Sequence, residues 1–391
     1  MYWFEPAILS PRFRMADAPP ANSKTPIALV YWGRLGAGAA LMSQIAEAMA
    51  RDDRFDLYLS PSLHSELPPQ FPTGRLLPVS TFSGPLGLLA RTLVLPFTVR
   101  RLVRDLKARN VGAIVTVMPH VWGLALQRAA HKAGIRTLLI VHDADPHPGE
   151  RRPLLDRMVG QEIRGSDRIV TFSNHVADRL KARGDVPEDR IARLYHPIFR
   201  FGATAAAARH APFRLLFFGR ILPYKGVGML LEAFARLRAE GADVMLTVVG
   251  RGRIDAPAGL LTQPGLTIKT GWVAPDAIGG ILAEADAIAL PYLEASQSGV
   301  VAAAYGAGLP VVATSVGGLA EQVFDGVTGV LARGTTAEDF AEAIRRLIET
   351  PGLYETCRAG AGRQAEAHAP EHFAAVLGGA VLTAIETPPR G

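Results

Sequence analysis

Six short apolar runs with helix-like segments between them precede residue 200, and six more follow residue 212. No other feature constrains the chain so tightly. In the first half the runs are IALVY (27–31), FDLYL (55–59), GAIVTV (112–117), IRTLLIV (135–141), RIVTF with its core at 169–172, and a short IARLY. In the second they are FRLLFF (213–218), VMLTVV (244–249), LTIK, DAIAL, PVVAT (310–314) and TGVL. Most are apolar on both faces, as strands of a parallel sheet covered on both sides must be. The alternation predicts an α/β chain of two doubly wound, Rossmann-like domains, with a ligand at the carboxyl ends of both sheets.

The boundaries follow from composition. Residues 1–23 read as a loose extension, 24–200 as the first domain, and the Ala-rich FGATAAAARHAP (201–212) as a linker. Residues 213–372 make the second domain, and 373–391 carry helical periodicity in a segment able to return to the first. A chain of 391 residues is long enough for two such cores. The single cysteine, Cys357, cannot form an internal disulfide, which points to a reducing compartment. The start, MYWFEPAILSPRFRM, lacks the basic-then-apolar order of a signal peptide, so a cytoplasmic protein is expected.

The stretch 289–314, ALPYLEASQSGVVAAAYGAGLPVVAT, carries one charge, Glu294. It is long enough to span a membrane, but Gly299, Gly306, Gly308 and Pro310 interrupt it. A buried unit fits better: a loop with Ser296, Gln297 and Ser298, a helix from about Gly299, then a strand. Charge is uneven along the chain. Residues 1–205 hold 27 Lys+Arg against 18 Asp+Glu, and 206–391 hold 15 against 18. A basic first half suits an anionic surface or substrate, or reflects an ordinary Arg-rich exterior. No basic–aromatic RNA motif or zinc-finger spacing is present, so nucleic acid is not expected.

FFGRILPYKGVGMLLEAFARL (217–237) places Gly219 and Arg220 after a strand, and Lys225-Gly226 at the opening of a helix. Two cations beside a helix N-terminus make an anion site. The loop ending Ser296-Gln297-Ser298-Gly299-Val300 enters a helix of small residues, whose first amides point at an oxyanion. Together they suit a diphosphate. Neither matches a P-loop, because no Gly-Lys-Ser/Thr ending occurs.

The ordered landmarks Gly219-Arg220…Lys225-Gly226, VVG (248–250), GWV (271–273), ADAIALPY (285–292), GLPVVAT and VGGLAE resemble glycosyltransferase family 4, particularly the bacterial polysaccharide branch that reads PYxEASQSGV. The resemblance implies a GT-B fold with the domains facing each other across a cleft, and a retaining enzyme that uses nucleotide-sugar donors. By it, Arg220 and Lys225 grip the donor pyrophosphate and Glu294 contacts the donor sugar. Ser298, Gly299 and Val300 present amides to the distal phosphate, and backbone near Gly271, Trp272 and Val273 meets the base. The family's second Glu falls at Ala302 or Ala303 and is missing, leaving Glu321 as a distant substitute on the ribose.

In the first half WGRLGAG (32–38) resembles the acceptor loop, where Gly36 and Gly38 allow close approach. Its G-x-x-G-x-G spacing, and the Ser60 that ends the next run, do not fit an NAD site. VHDADPHPGE (141–150) follows a strand directly. Its His142 matches the family histidine near the sugar's reacting face, while Asp143 and His147 lie on the acceptor side with Glu150 nearby. His142 and Asp143 as plain turn and cap residues remain an open reading. No Cys/His cluster has metal spacing, and cations already serve the diphosphate, so no metal or other cofactor is expected.

FSGPLGLLARTLVLPFTVRRLVRDLKARN (82–110) pairs an apolar block with Arg100, Arg101, Arg104, Lys107 and Arg109. It suits either an anionic membrane surface or a core helix with a basic solvent face, and Pro96 argues against one continuous helix. The expected activity is hexosyl transfer from a nucleoside-diphosphate sugar to a lipid-linked saccharide acceptor. The rivals are a nucleotide-sugar 2-epimerase of the same fold and a non-catalytic nucleotide-sugar-binding subunit.

Overall fold

The computed structural model describes residues 24–33, 37–65, 75–148, 150–198, 200–202 and 209–387. Each of the twelve apolar runs is a strand. The first sheet consists of β1 (Thr25–Tyr31), β2 (Phe55–Pro61), β3 (Ala113–Thr116), β4 (Arg136–Val141), β5 (Arg168–Thr171) and β6 (Ile191–Arg193), in the order β2-β1-β3-β4-β5-β6. The second consists of β7 (Phe213–Phe218), β8 (Val244–Gly250), β9 (Leu266–Thr270), β10 (Ala287–Leu290), β11 (Val311–Thr314) and β12 (Gly329–Ala332), in the order β12-β11-β10-β7-β8-β9. All strand pairs within these sheets are parallel. Strand order reverses between β1 and β3 in one sheet and between β7 and β10 in the other. Crevices open at such reversals, outside the carboxyl ends of the strands.

The apolar strand centres account for this architecture. Ile27, Leu29, Ile114, Leu138, Ile288 and Val311 are wholly buried, covered by helices on both faces. The block at 82–110 forms two helices, Gly84–Leu93 and Leu95–Lys107, with Pro96 in the first turn of the second, where its missing N–H costs nothing. The last helix, Pro370–Glu386, leaves the second domain and lies along the first-domain helix Ala37–Ala50. Phe373, Leu377 and Val381 are buried there, and Arg51 pairs with Glu371 at 2.7 Å.

The domains also meet at their strand ends. The Ser173 hydroxyl, at the N-cap of the helix Asn174–Ala182, donates to the Ser296 carbonyl at 2.7 Å. Glu321 of the second domain accepts the Asn174 and His175 amides, each at 2.6 Å. The loop after β11 lies against that junction: a Cβ at Gly318 would sit 3.2 Å from Ser173 Cβ, and one at Gly317 would sit 3.4 Å from His175 Nε2.

The segment entering β7 is held by Asp286, whose carboxylate is 1% exposed. It takes the amides of His210 (2.9 Å) and Arg214 (2.7 Å), with His210 Nδ1 at 2.8 Å. Asp286→Ala leaves those part-buried donors without their acceptor and should cost about 2 kcal/mol. A urea unfolding curve measures the loss.

Candidate active site

The β7/β10 crevice holds the cations. β7 ends at Phe218, and Gly219, Arg220 and a single 3-10 turn, Pro223–Lys225, lead into the helix Val227–Ala239. Val227, Leu230, Leu231, Phe234 and Leu237 bury one side of that helix and fix its start. Gly226 takes a left-handed φ of 66°, and a Cβ there would lie 1.8 Å from the Pro291 carbonyl. Only glycine lets the β7 turn and the β10 loop come this close. Lys225 therefore rests on aromatic faces, its Nζ 3.6 Å from the Tyr292 ring centroid and 5.1 Å from that of Tyr224. Burial, then repulsion from Arg220, pushes its pKa down to about 7. Arg220 is exposed and reaches across the cleft, its Nη1 donating to Glu150 Oε1 of the first domain at 2.9 Å. Its Nη2 donates to the Tyr224 hydroxyl at 3.4 Å.

Beyond β10, Glu294 is about half exposed at the cleft, and the helix Gly299–Gly306 begins with Ser298 as its N-cap. Of the three amides expected at the phosphate, two are already engaged. Ser298 N–H donates to Gln322 Oε1 at 2.7 Å, and Val300 N–H to Ser298 Oγ at 3.3 Å. Among the described residues only the Gly299 amide of the three has no acceptor. Gln322 Nε2 also donates to the Ser298 carbonyl at 3.3 Å, so one side chain clamps this loop on two sides. Buried Ser296 hydrogen-bonds Asp143, and Gln297 keeps a buried Oε1 with no protein donor.

On the first-domain side, His142 and His147 stand in different surroundings. His142 is buried edge-on against Phe172 (5.2 Å), with Nε2 3.1 Å from the Val117 carbonyl, and burial lowers its pKa. His147 spans the cleft. Its ring stacks on Tyr224 at 4.3 Å, Nε2 lies 3.0 Å from Asp143 Oδ1, and the otherwise unpartnered Nδ1 lies 3.5 Å from Glu294 Oε1. Burial pulls its pKa down, but the hydrogen bond and charge of Asp143, with the charge of Glu294, outweigh that and raise it. Desolvation would raise Asp143, yet His147, Ser296 and His142 together hold it low. Gly38 is buried in the first turn of its helix, where a Cβ would sit 2.5 Å from the Tyr31 ring. Gly36 lies outside the described residues.

Gly271, Trp272 and Val273 follow β9, and Trp272 is 51% exposed. Ala302 and Ala303, where a second Glu was expected, are buried at 3% and 4%. Both oxygens of Glu321 are occupied at the domain junction rather than waiting in the cleft. Sequence reasoning missed Tyr224, Tyr292, Gln322 and Ser173. The first two stand inside quoted motifs, but nothing in spacing announces the others. Among the described residues no group of three or more His, Cys, Asp or Glu is placed to hold a metal ion. The arrangement offers two cations and a helix-start amide to an anion, beside a carboxylate and an imidazole suited to hydroxyls.

The family model Glycosyltransferase Family 4 matches residues 36–198, and Glycosyl transferases group 1 matches 212–350. D-inositol 3-phosphate glycosyltransferase of Rhodococcus jostii is 30% identical over 274 residues, 65% of this chain and 60% of that protein. That of Actinosynnema mirum is 32% identical over 269 residues, 60% of this chain and 61% of that protein. The chain thus spans about 60% of the length of the curated relatives it matches. Among solved structures, Anabaena HepE in complex with UDP and glucose has a TM-score of 0.69 at 18% identity, covering 92% of this chain and 100% of that one. A glycosyltransferase from Rickettsia africae has a TM-score of 0.70 at 16% identity, covering 93% and 100%. The fold is GT-B.

The lowered pKa of Lys225 has a consequence for stability. Between about 7 and the unfolded value of 10.5 the unfolded chain binds the extra proton, so stability rises with pH through that window. Lys225→Met removes the buried charge. Its gain over wild type should be largest below about pH 7 and shrink by about pH 9, as urea titrations at both would show.

Proposed function

The chain belongs to the group 1, family 4 glycosyltransferases, and from that premise we propose that it moves a hexosyl unit from a nucleoside-diphosphate sugar to a lipid-linked saccharide, with retention at the anomeric carbon, in surface-polysaccharide synthesis at the inner face of the cytoplasmic membrane. The observation that carries this reading is the convergence of Arg220, Lys225 and the Gly299 amide on the β7/β10 crevice, opposite His147 and Glu150. A diphosphate fits there as an anion shared by both cations, taking Arg220 over from Glu150 and neutralising Lys225.

The bond from the anomeric carbon to the diphosphate oxygen breaks as Arg220, protonated Lys225 and the Gly299 amide take up the departing charge. A bound diphosphate restores the proton on Lys225 by opposing its desolvation. The acceptor oxygen bonds to the same face of the carbon, and its proton passes to the departing phosphate oxygen. Glu294 holds sugar hydroxyls, and His147, oriented by Asp143, faces them from the other domain. Trp272 offers an aromatic face to the base. His142, buried behind this front, supports the loop that carries His147.

A phosphorylated polyol is the second acceptor reading, favoured by the relatives named for inositol 3-phosphate and by the basic first half. Incubating the protein with UDP-, GDP- and ADP-sugars and both acceptor classes tests the proposal. Anomeric proton couplings of the product report retention.

Arg220→Ala and Lys225→Ala should each slow transfer about a hundredfold, since a charge-assisted hydrogen bond lost from the transition state is worth ~3 kcal/mol. The donor KM should rise as well, because part of that energy binds the ground state. Wild-type kinetics in both would place the diphosphate elsewhere. EDTA should leave transfer intact, and a loss restored only by magnesium or manganese would show that protein cations are not enough.

A further inference from the structure

The helices Gly84–Leu93 and Leu95–Lys107 turn apolar side chains away from the protein. Leu86, Leu89, Leu93 and Phe97 are 85%, 65%, 74% and 71% exposed, and Val94 between the helices is 44% exposed. Spacings of three and four place Leu86, Leu89 and Leu93 along one stripe. This is not a core helix turned inside out, because the second helix buries its own inner side through Val99, Leu102, Val103 and Leu106. Along its outer side, Phe97 gives way to exposed Arg100, Arg101, Arg104 and Lys107. Residues 84–109 carry six cations and one acid, Asp105.

We propose that this helical pair is a membrane wedge that inserts Leu86, Leu89, Leu93 and Phe97 into an anionic lipid surface while its arginines meet the headgroups. An apolar tip bordered by cations is what the boundary between acyl chains and anionic headgroups accommodates. A second copy of this chain would cover the apolar tip but bring the flanking cations of two like-charged patches together, with Asp105 the one acid each patch offers them. Among the described residues no helix is long and apolar enough to cross a membrane, so the wedge lies on the surface rather than spanning it. It is also joined to the cleft. Trp122 Nε1 donates to Thr92 Oγ1 at 3.1 Å, and Trp122 packs with Trp32, Phe82 and His120 beyond the ends of β1 and β3. That is the strand reversal of the first sheet, so the wedge sets the acceptor side of the cleft against the bilayer. Its purpose rests on the lipid-linked acceptor proposed above; its geometry does not.

The test is co-sedimentation with vesicles of one part phosphatidylglycerol to two parts phosphatidylcholine, at low and physiological salt. Wild type should pellet, and less so as salt rises. Replacing Leu86, Leu89, Leu93 and Phe97 together by Ser should weaken binding at least about a hundredfold at low salt with every cation in place. The charge reversal Arg100→Glu, Arg101→Glu, Arg104→Glu should cost roughly a hundredfold at low salt. Neither variant should lower the thermal midpoint, because these side chains are exposed. Wild type remaining in the supernatant, or the serine variant pelleting like wild type, would overturn the wedge. So would a wild-type dimer in sedimentation velocity that the serine variant abolishes. Transfer to a soluble acceptor without vesicles is scored separately: its failure with vesicle binding intact counts against the reaction, and the reverse counts against the wedge.

Discussion

Because every strand within each sheet runs the same way, the carboxyl ends of the strands and the starts of the helices that follow them crowd along one edge of each domain. The two domains turn those edges toward each other. Helix N-termini carry partial positive charge and unpaired amides, so the cleft between them is electropositive before any side chain is added. Arg220 and Lys225 add to that field. Aromatic faces and a lowered pKa relieve Lys225, while Glu150 of the opposite domain occupies Arg220. The chemistry of the cleft follows from this surplus of positive charge.

The contacts that hold the cleft together fall into two kinds. Deep in the junction, Ser173, Ser296, Glu321 and the Asn174 and His175 amides join backbone to side chain at 2.6–2.7 Å. At the mouth, Arg220–Glu150 is an ion pair whose guanidinium and carboxylate are 62% and 37% exposed, and His147 Nδ1 lies 3.5 Å from the half-exposed Glu294. Exposed pairs are worth only ~0–1 kcal/mol, so an entering anion can take Arg220 from Glu150 at little cost. The deep contacts keep the domains registered while the mouth exchanges partners.

The fold was legible because parallel strands buried on both faces leave continuous apolar runs, spaced here by segments of helical periodicity. Gly226 and Lys225 were legible for a related reason: a turn squeezed against the Pro291 carbonyl tolerates one residue type, and a charge held there needs a purpose. Gln322 and Ser173 were hidden because their roles depend on which loops face each other across the interface, and local spacing does not record that. The amides of Ser298 and Val300 looked free because helix starts usually are, and Gln322 and the Ser298 hydroxyl claim them. The apolar block at 82–110 had two readings, since periodicity fixes which residues share a face but not which face meets the protein.

The return of Pro370–Glu386 to the first domain bears on how the chain is made. Helix Ala37–Ala50 and the edge at Phe55 are covered by Phe373, Leu377, Gly378 and Val381, the last part of the described chain to leave the ribosome. At synthesis rates of roughly 5–20 residues per second, the first domain waits on the order of ten seconds or more after its own strands are complete before this cover arrives. During that interval its apolar flank is open to chaperones or to neighbouring nascent chains. The second domain, complete by the end of Leu353–Ala367, has no such wait. The order of synthesis thus makes the first domain, though first to emerge, the last to be finished.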